Sequence, residues 1–246
     1  MKKYITFFVA LIAFLVSTIL SCKSPSSATV INATLQGEGT LVASGVTLKY
    51  FYSMPDREAL QENMPLILAL HYGGTVTATI GKDFLDGLVE PALKDLNAFI
   101  VSPNCPNNQG WTVPATVNAL LALVDHVSSS YSIDVNKILV VGYSMGGFGT
   151  WHMAANHSNV FSAAIPMAAT PINADVQLLG NVPVYAIIGS EDEVVSAQEL
   201  ENLVEDFQNQ WKNVELHVVD GLTHYEVSRY VQPLSQSVPW IQSNWD

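Results

Sequence analysis

From about residue 38 onward the chain alternates between two kinds of pattern. Pro65–His71 (PLILALH), Ala98–Ser102, Lys137–Tyr143, Phe161–Met167 and Pro183–Gly189 (PVYAIIG) are short, largely apolar runs, and Val214–Val219 is a last short strand pattern that contains Glu215 and His217. Runs of this length predict strands buried on both faces. Between them lie stretches with apolar residues at helical spacing: Phe84–Leu96, Ala115–Ser130, Gly147–Asn156 and Ser196–Trp211. Thr40–Tyr52 alternates less regularly and predicts early antiparallel strands, and the tail predicts a helix interrupted by Pro233 and Pro239. Doubly buried strands alternating with helices imply an α/β architecture: a mostly parallel central sheet with helices on both faces. In such sheets ligands bind at the carboxyl ends of the strands, so residues just after each strand carry the chemistry.

The N-terminus has a different character. Met1-Lys2-Lys3 is positive, and Tyr4–Leu20 is apolar except for Thr6, Ser17 and Thr18. That is a targeting segment, read either as a cleaved signal or as an uncleaved anchor. Ile19-Leu20-Ser21-Cys22 resembles a bacterial lipobox, which favours cleavage and implies that Cys22 becomes a lipidated N-terminus. The expected organisation is a signal over residues 1–21, a lipidated cysteine and Ser/Pro-rich tether over 22–37, and a catalytic domain over 38–246. Membrane contact would then run through the lipid, at the bacterial cell envelope. The net charge of −12 becomes −14 without Lys2 and Lys3, which speaks against nucleic acid and anionic headgroups as partners. With Cys22 lipidated, Cys105 has no intramolecular partner and reads as a small packed thiol. No H-e-x-x-H pattern, paired C-x-x-C, phosphate loop or dinucleotide fingerprint is present, so neither metal nor cofactor is expected.

Gly142-Tyr143-Ser144-Met145-Gly146 fits G-x-S-x-G between an apolar strand and a helix. A serine there sits on a tight turn with its hydroxyl held out over the sheet edge. Such a serine needs a base, and the base needs an orienting partner. Pro183–Gly189 is followed by Glu191, Asp192 and Glu193, and the G-x-x-D-x-x-V shape favours Asp192, with Glu191 and Glu193 read as solvated. His224 follows the last strand in a glycine-containing loop, whereas His126 and His152 lie on helices, His157 at a helix end and His217 inside a strand. The oxyanion of an acyl-transfer intermediate needs N–H donors. Met145 supplies one, and His71-Tyr72-Gly73-Gly74 the other, from Gly73 first or Tyr72 second.

Strand order, elbow, acid and histidine together resemble the α/β-hydrolase superfamily from about Leu48 to the C-terminus. Gly142–Trp151, with Asn104-Cys105-Pro106 and Trp111 upstream, is similar to small secreted feruloyl and acetylxylan esterases, polyhydroxybutyrate depolymerases and predicted peptidases. In that superfamily the H-G-x loop usually has glycine where Tyr72 stands here. The resemblance implies a three-layer α/β-hydrolase fold and an ester substrate. The short interval from Ser144 to Asp192 leaves no room for a large cap domain, so the cleft is expected to be open, suited to a bulky or polymeric ester. Tyr72 and Trp111 are candidate substrate contacts, with packing an equal reading for Trp111. A serine peptidase of the same fold and a non-catalytic surface-binding lipoprotein are the rival functions, and the intact Ser144, Asp192 and His224 speak against the second.

Overall fold

The computed structural model describes residues 34–55, 63–75, 77–172, 178–210 and 212–245. The signal, Cys22 and most of the tether expected from the sequence lie outside them. The apolar runs become one eight-stranded sheet: β1 (Thr34–Ala43), β2 (Val46–Pro55), β3 (Met64–Leu70), β4 (Phe99–Pro103), β5 (Ile133–Tyr143), β6 (Ala163–Met167), β7 (Val184–Gly189) and β8 (Val214–Val219). Their spatial order is β1-β2-β4-β3-β5-β6-β7-β8. β1 and β2 form an antiparallel hairpin, and β2 runs antiparallel to β4. From β4 to β8 every neighbour is parallel.

The parallel strands inside the sheet are apolar at nearly every position because both faces are covered, while the edge strand β8 carries Glu215 and His217. Leu66, Leu68 and Leu70 of β3, Ile138 and Val140 of β5 and Ile188 of β7 enter one core. That core is closed by α2 (Pro114–Ser130), α3 (Met145–Asn156) and α4 (Ala197–Asn209). The alternate residues Ile67, Ala69, Leu139, Val141 and Ile187 enter a second core. It is closed by a helical run over residues 80–96, called α1, and by α5 (Val231–Ser235) and α6 (Val238–Trp245). Pleating sends successive side chains to opposite faces, so a strand sandwiched between helices loses the polar half of its alternation. The result is three layers.

Helix boundaries follow local chemistry. α4 begins where the Ser196 side chain accepts the Glu199 amide at 3.2 Å, satisfying an orphan N–H of the first turn. Its buried Leu200, Val204 and Phe207 recur at helical spacing. α1 is longer than the apolar pattern predicts and not uniform: it opens at Ile80 and contains a π-helical turn over Leu85–Val89. Pro233 and Pro239 do not interrupt a tail helix. Each falls in the first turn of its own helix, α5 or α6, where a missing N–H costs nothing.

The domain also begins earlier than expected. β1 starts at Thr34, inside the stretch read as tether. Gly37 and Gly39 hide the first half of this strand in the sequence, because glycine is a weak strand former. In the fold they are floor space for aromatic rings. A Cβ on Gly37 would lie 2.4 Å from the Tyr52 ring, and one on Gly39 2.4 Å from Tyr50. Among the described residues no large cap interrupts the domain, and no helix is long and apolar enough to cross a membrane.

Candidate active site

The sharpest backbone feature lies where β5 meets α3. Ser144 has φ 52° and ψ −114°, a conformation that L-residues rarely adopt and that costs on the order of 1–3 kcal/mol. The surroundings hold it there. The Ser144 amide donates to Met167 O of β6 at 2.9 Å, and the Ser144 carbonyl accepts from the Phe148 amide at 3.0 Å. The turn is so tight that a Cβ on Gly146 would sit 1.8 Å from Leu70 O. Only glycine fits where the first turn of α3 meets the end of β3.

Two loops bring the partners to this serine. Ser144 Oγ lies 2.9 Å from His224 Nε2. His224 Nδ1 lies 2.8 Å from Asp192 Oδ2 and 3.0 Å from Oδ1. The Asp192 side chain is fully buried, and that of His224 is 7% exposed. Asp192 Oδ1 also accepts the amides of Val194 and Val195 at 2.9 and 2.7 Å. These bonds fix the carboxylate as an acceptor, leaving it aimed at an Nδ1–H tautomer of His224. Asp192 follows β7 and His224 follows β8, so all three residues stand at the carboxyl ends of strands.

The loop of His224 is held on three sides, and the sequence announces none of these contacts. The His224 amide donates to Glu193 Oε2 at 3.0 Å, so Glu193, expected to be merely solvated, is a structural partner. Thr223 donates through both its amide and its hydroxyl to Glu226 Oε2, at 3.1 and 3.0 Å. Tyr143, directly before the serine, donates its hydroxyl to His224 O at 2.5 Å. Burial, then the neighbouring Tyr230 and the charges of Asp192 and Glu193, push the Tyr143 hydroxyl well above its ordinary pKa, so it stays a donor. Tyr230 accepts the Gly189 amide at 3.1 Å, and its hydroxyl is pushed up to about 12, chiefly by burial.

The loop after β3 lies on the other side of Ser144. A Cβ on Gly73 would be 3.6 Å from the Met145 side chain, so the two expected oxyanion donors are neighbours. The half-buried Tyr72 packs its ring edge-on against Phe84 and Tyr143, at 6.1 and 6.4 Å between centroids. Trp111 requires a correction. It is 1% exposed, and its Nε1–H donates to His71 O at 2.9 Å. It lies beneath the loop as a brace and cannot line the cleft. Cys105 is buried, and burial raises its thiol to about 11, so it is an uncharged packing group at neutral pH. His71 is buried too, with burial lowering its pKa, and both ring nitrogens are hydrogen-bonded. Among the described residues no group of three or more His, Cys, Asp or Glu side chains is arranged to hold a metal ion.

A strand, a strained serine turn, a helix and a histidine–carboxylate pair after the next strands define a recognisable arrangement. The family model for the dienelactone hydrolase family matches residues 107–230, half of the chain. The chain belongs to the dienelactone hydrolase family. Its fold is that of the α/β-hydrolases, as the sequence resemblance implies. The chain is 30% identical over 140 residues to poly(3-hydroxyalkanoate) depolymerase C of Paucimonas lemoignei, covering 50% of this chain and 32% of that protein. It is 28% identical over 151 residues to feruloyl esterase B of Neurospora crassa, covering 56% of this chain and 49% of the other. The chain thus spans half or less of the length of these curated relatives. Among solved structures, S-formylglutathione hydrolase from Staphylococcus aureus superposes with a TM-score of 0.68 over 85% of this chain and 97% of that one. The two are 12% identical, so this likeness concerns the fold.

Proposed function

We propose that this member of the dienelactone hydrolase family is a serine hydrolase that cleaves carboxylic esters through an acyl-enzyme on Ser144. The observation that carries the reading is the unbroken relay from Ser144 Oγ to His224 Nε2 and from His224 Nδ1 to Asp192. In this mechanism Ser144 Oγ attacks the ester carbonyl while His224 Nε2 takes its proton. The amides of Met145 and Gly73 stabilise the oxyanion. The carbonyl re-forms, the C–O bond to the alcohol breaks, and His224 returns the proton to the departing oxygen. Water then enters, loses a proton to His224 and releases the acid by the same route. Asp192 keeps Nδ1 protonated and stabilises the imidazolium.

The substrates are proposed to be bulky or polymer-derived esters met outside the cytoplasm. The similarity to a feruloyl esterase and to a poly(3-hydroxyalkanoate) depolymerase supports that class. A fluorophosphonate probe tests the mechanism: it should label wild-type protein on Ser144 and leave Ser144→Ala unlabelled. Turnover of chromogenic acyl, feruloyl and acetyl-sugar esters should exceed that of peptides, and the reverse order would favour the peptidase alternative.

Export and anchoring belong to the same proposal. They are supported by Met1-Lys2-Lys3, the apolar Tyr4–Leu20 segment and the lipobox-like Ile19–Cys22. A signal over residues 1–21 and a lipid on Cys22 would tether a catalytic domain whose first strand starts at Thr34. Mass spectrometry of protein recovered from a bacterial envelope should find a lipid adduct on an N-terminal Cys22. Recovery of a chain beginning at Met1 would count against it.

A further inference from the structure

We propose that His71 is a positioning residue that aims the Gly73 amide at the oxyanion by holding the carbonyl of the Tyr72–Gly73 peptide. This rests on the ester-hydrolase reading above and assigns a role to a buried histidine outside the Ser144–His224–Asp192 relay. His71 Nδ1 lies 2.6 Å from Tyr72 O, and the Cys105 amide donates to His71 Nε2 at 2.9 Å. A carbonyl on one side accepts only, and an amide on the other donates only. One neutral tautomer satisfies both partners, with the proton on Nδ1. A protonated ring would set N–H against N–H at Cys105, and burial lowers the pKa of His71 in the direction that avoids this.

The consequence reaches the site through peptide geometry. Tyr72 C=O and Gly73 N–H belong to one planar group. The described residues contain no cis peptide bonds, so the carbonyl and the N–H point in opposite directions. Pinning the carbonyl to the buried His71 ring turns the Gly73 N–H away from that ring, in a residue whose Cβ would lie 3.6 Å from the Met145 side chain. The preceding peptide is pinned in the same manner, since His71 O accepts the Trp111 indole N–H at 2.9 Å. The two rings brace each other edge-on, 5.0 Å between centroids at 74°. The Cys105 amide anchors the far end of the imidazole to the loop after β4. Two consecutive peptides of a glycine-rich loop are thus fixed by two buried rings. Without such bonds a turn at Gly73-Gly74 could rotate its peptides at little cost.

Two near-isosteric substitutions separate the ends of the ring. In His71→Asn the carboxamide nitrogen occupies the place of Nδ1, keeping the donor to Tyr72 and losing the acceptor for Cys105. In His71→Gln the carboxamide oxygen reaches the place of Nε2, keeping the Cys105 bond and losing the Tyr72 bond. Each leaves one buried polar group unpaired, so a purely structural role would lower stability in both and split neither kcat from KM. The expected result on a chromogenic ester is a kcat loss on the order of 10²-fold in His71→Gln with KM nearly unchanged, and a loss within about tenfold in His71→Asn. Affinity for a trifluoromethyl ketone, which forms an oxyanion on Ser144, should fall in His71→Gln in step with kcat/KM. Equal losses in the two variants, or a larger loss in His71→Asn, would overturn the inference. ¹⁵N NMR of wild-type protein labelled at histidine gives a test that needs no variant: His71 should carry its proton on Nδ1 near neutral pH, and a proton on Nε2 overturns the proposal. A wild type that neither hydrolyses esters nor takes a fluorophosphonate removes the ester-hydrolase reading and this inference with it. An active wild type with equal variant losses removes the inference alone.

Discussion

Ser144→Ala is expected to lower kcat for ester hydrolysis by on the order of 10⁴-fold or more, and His224→Ala by a similar factor. In the proposed mechanism the two groups act as one device: Oγ lies 2.9 Å from Nε2, and both the attack and the return of the proton to the alcohol require the pair. The double variant should therefore be about as slow as either single one. Steady-state hydrolysis of a chromogenic ester by the three variants, each checked for folding by circular dichroism, measures this. Multiplying losses in the double variant would mean that the residues contribute independently and that the relay is misassigned. KM should move little, because neither group is needed to bind the ester before attack.

Asp192→Asn is expected to reduce kcat on the order of 10³- to 10⁴-fold. The carboxylate accepts from His224 Nδ1 and from the Val194 and Val195 amides together. An asparagine that keeps its oxygen on those amides must turn its NH₂ toward the imidazole. The ring then holds its proton on Nε2, the nitrogen that has to accept from Ser144. Glu193→Gln is the control. Its carboxylate accepts only the His224 backbone amide among the contacts at this site, and a glutamine oxygen can replace it. The expected cost is about tenfold or less, in keeping with a neutral hydrogen bond replacing a charge-assisted one. Near-normal rates in Asp192→Asn with a large loss in Glu193→Gln would exchange the roles of the two acids.

Much of this site was legible in the sequence because its parts are local. Gly142–Gly146 must form a tight turn wherever a buried strand runs into a helix, since glycine alone tolerates the approach to the Leu70 carbonyl. The placement of Asp192 and His224 beside Ser144 was legible because parallel strands present their carboxyl ends to one edge, so order along the chain maps onto place in space. Five apolar runs predicted β3 to β7 for the same reason, as two covered faces leave no polar alternation to misread, and Val214–Val219 predicted the edge strand β8.

What the sequence left open depends on partners distant along the chain. Trp111 could be cleft or core by composition alone, and its hydrogen bond to His71, across the loops after β3 and β4, makes it core. Glu193 reads as solvated because its partner, the His224 amide, comes from another strand's loop. The tight Tyr143–His224 contact has no local sign, since a tyrosine before the serine looks like an ordinary strand residue. The first half of β1, before Thr40, was hidden because the rings covering its glycines belong to β2. The chain by itself determined the candidate residues and the order in which the strands present them. Only the tertiary structure decided which neighbours hold those residues still, because a hydrogen bond between two loops depends on the register of the sheet beneath them.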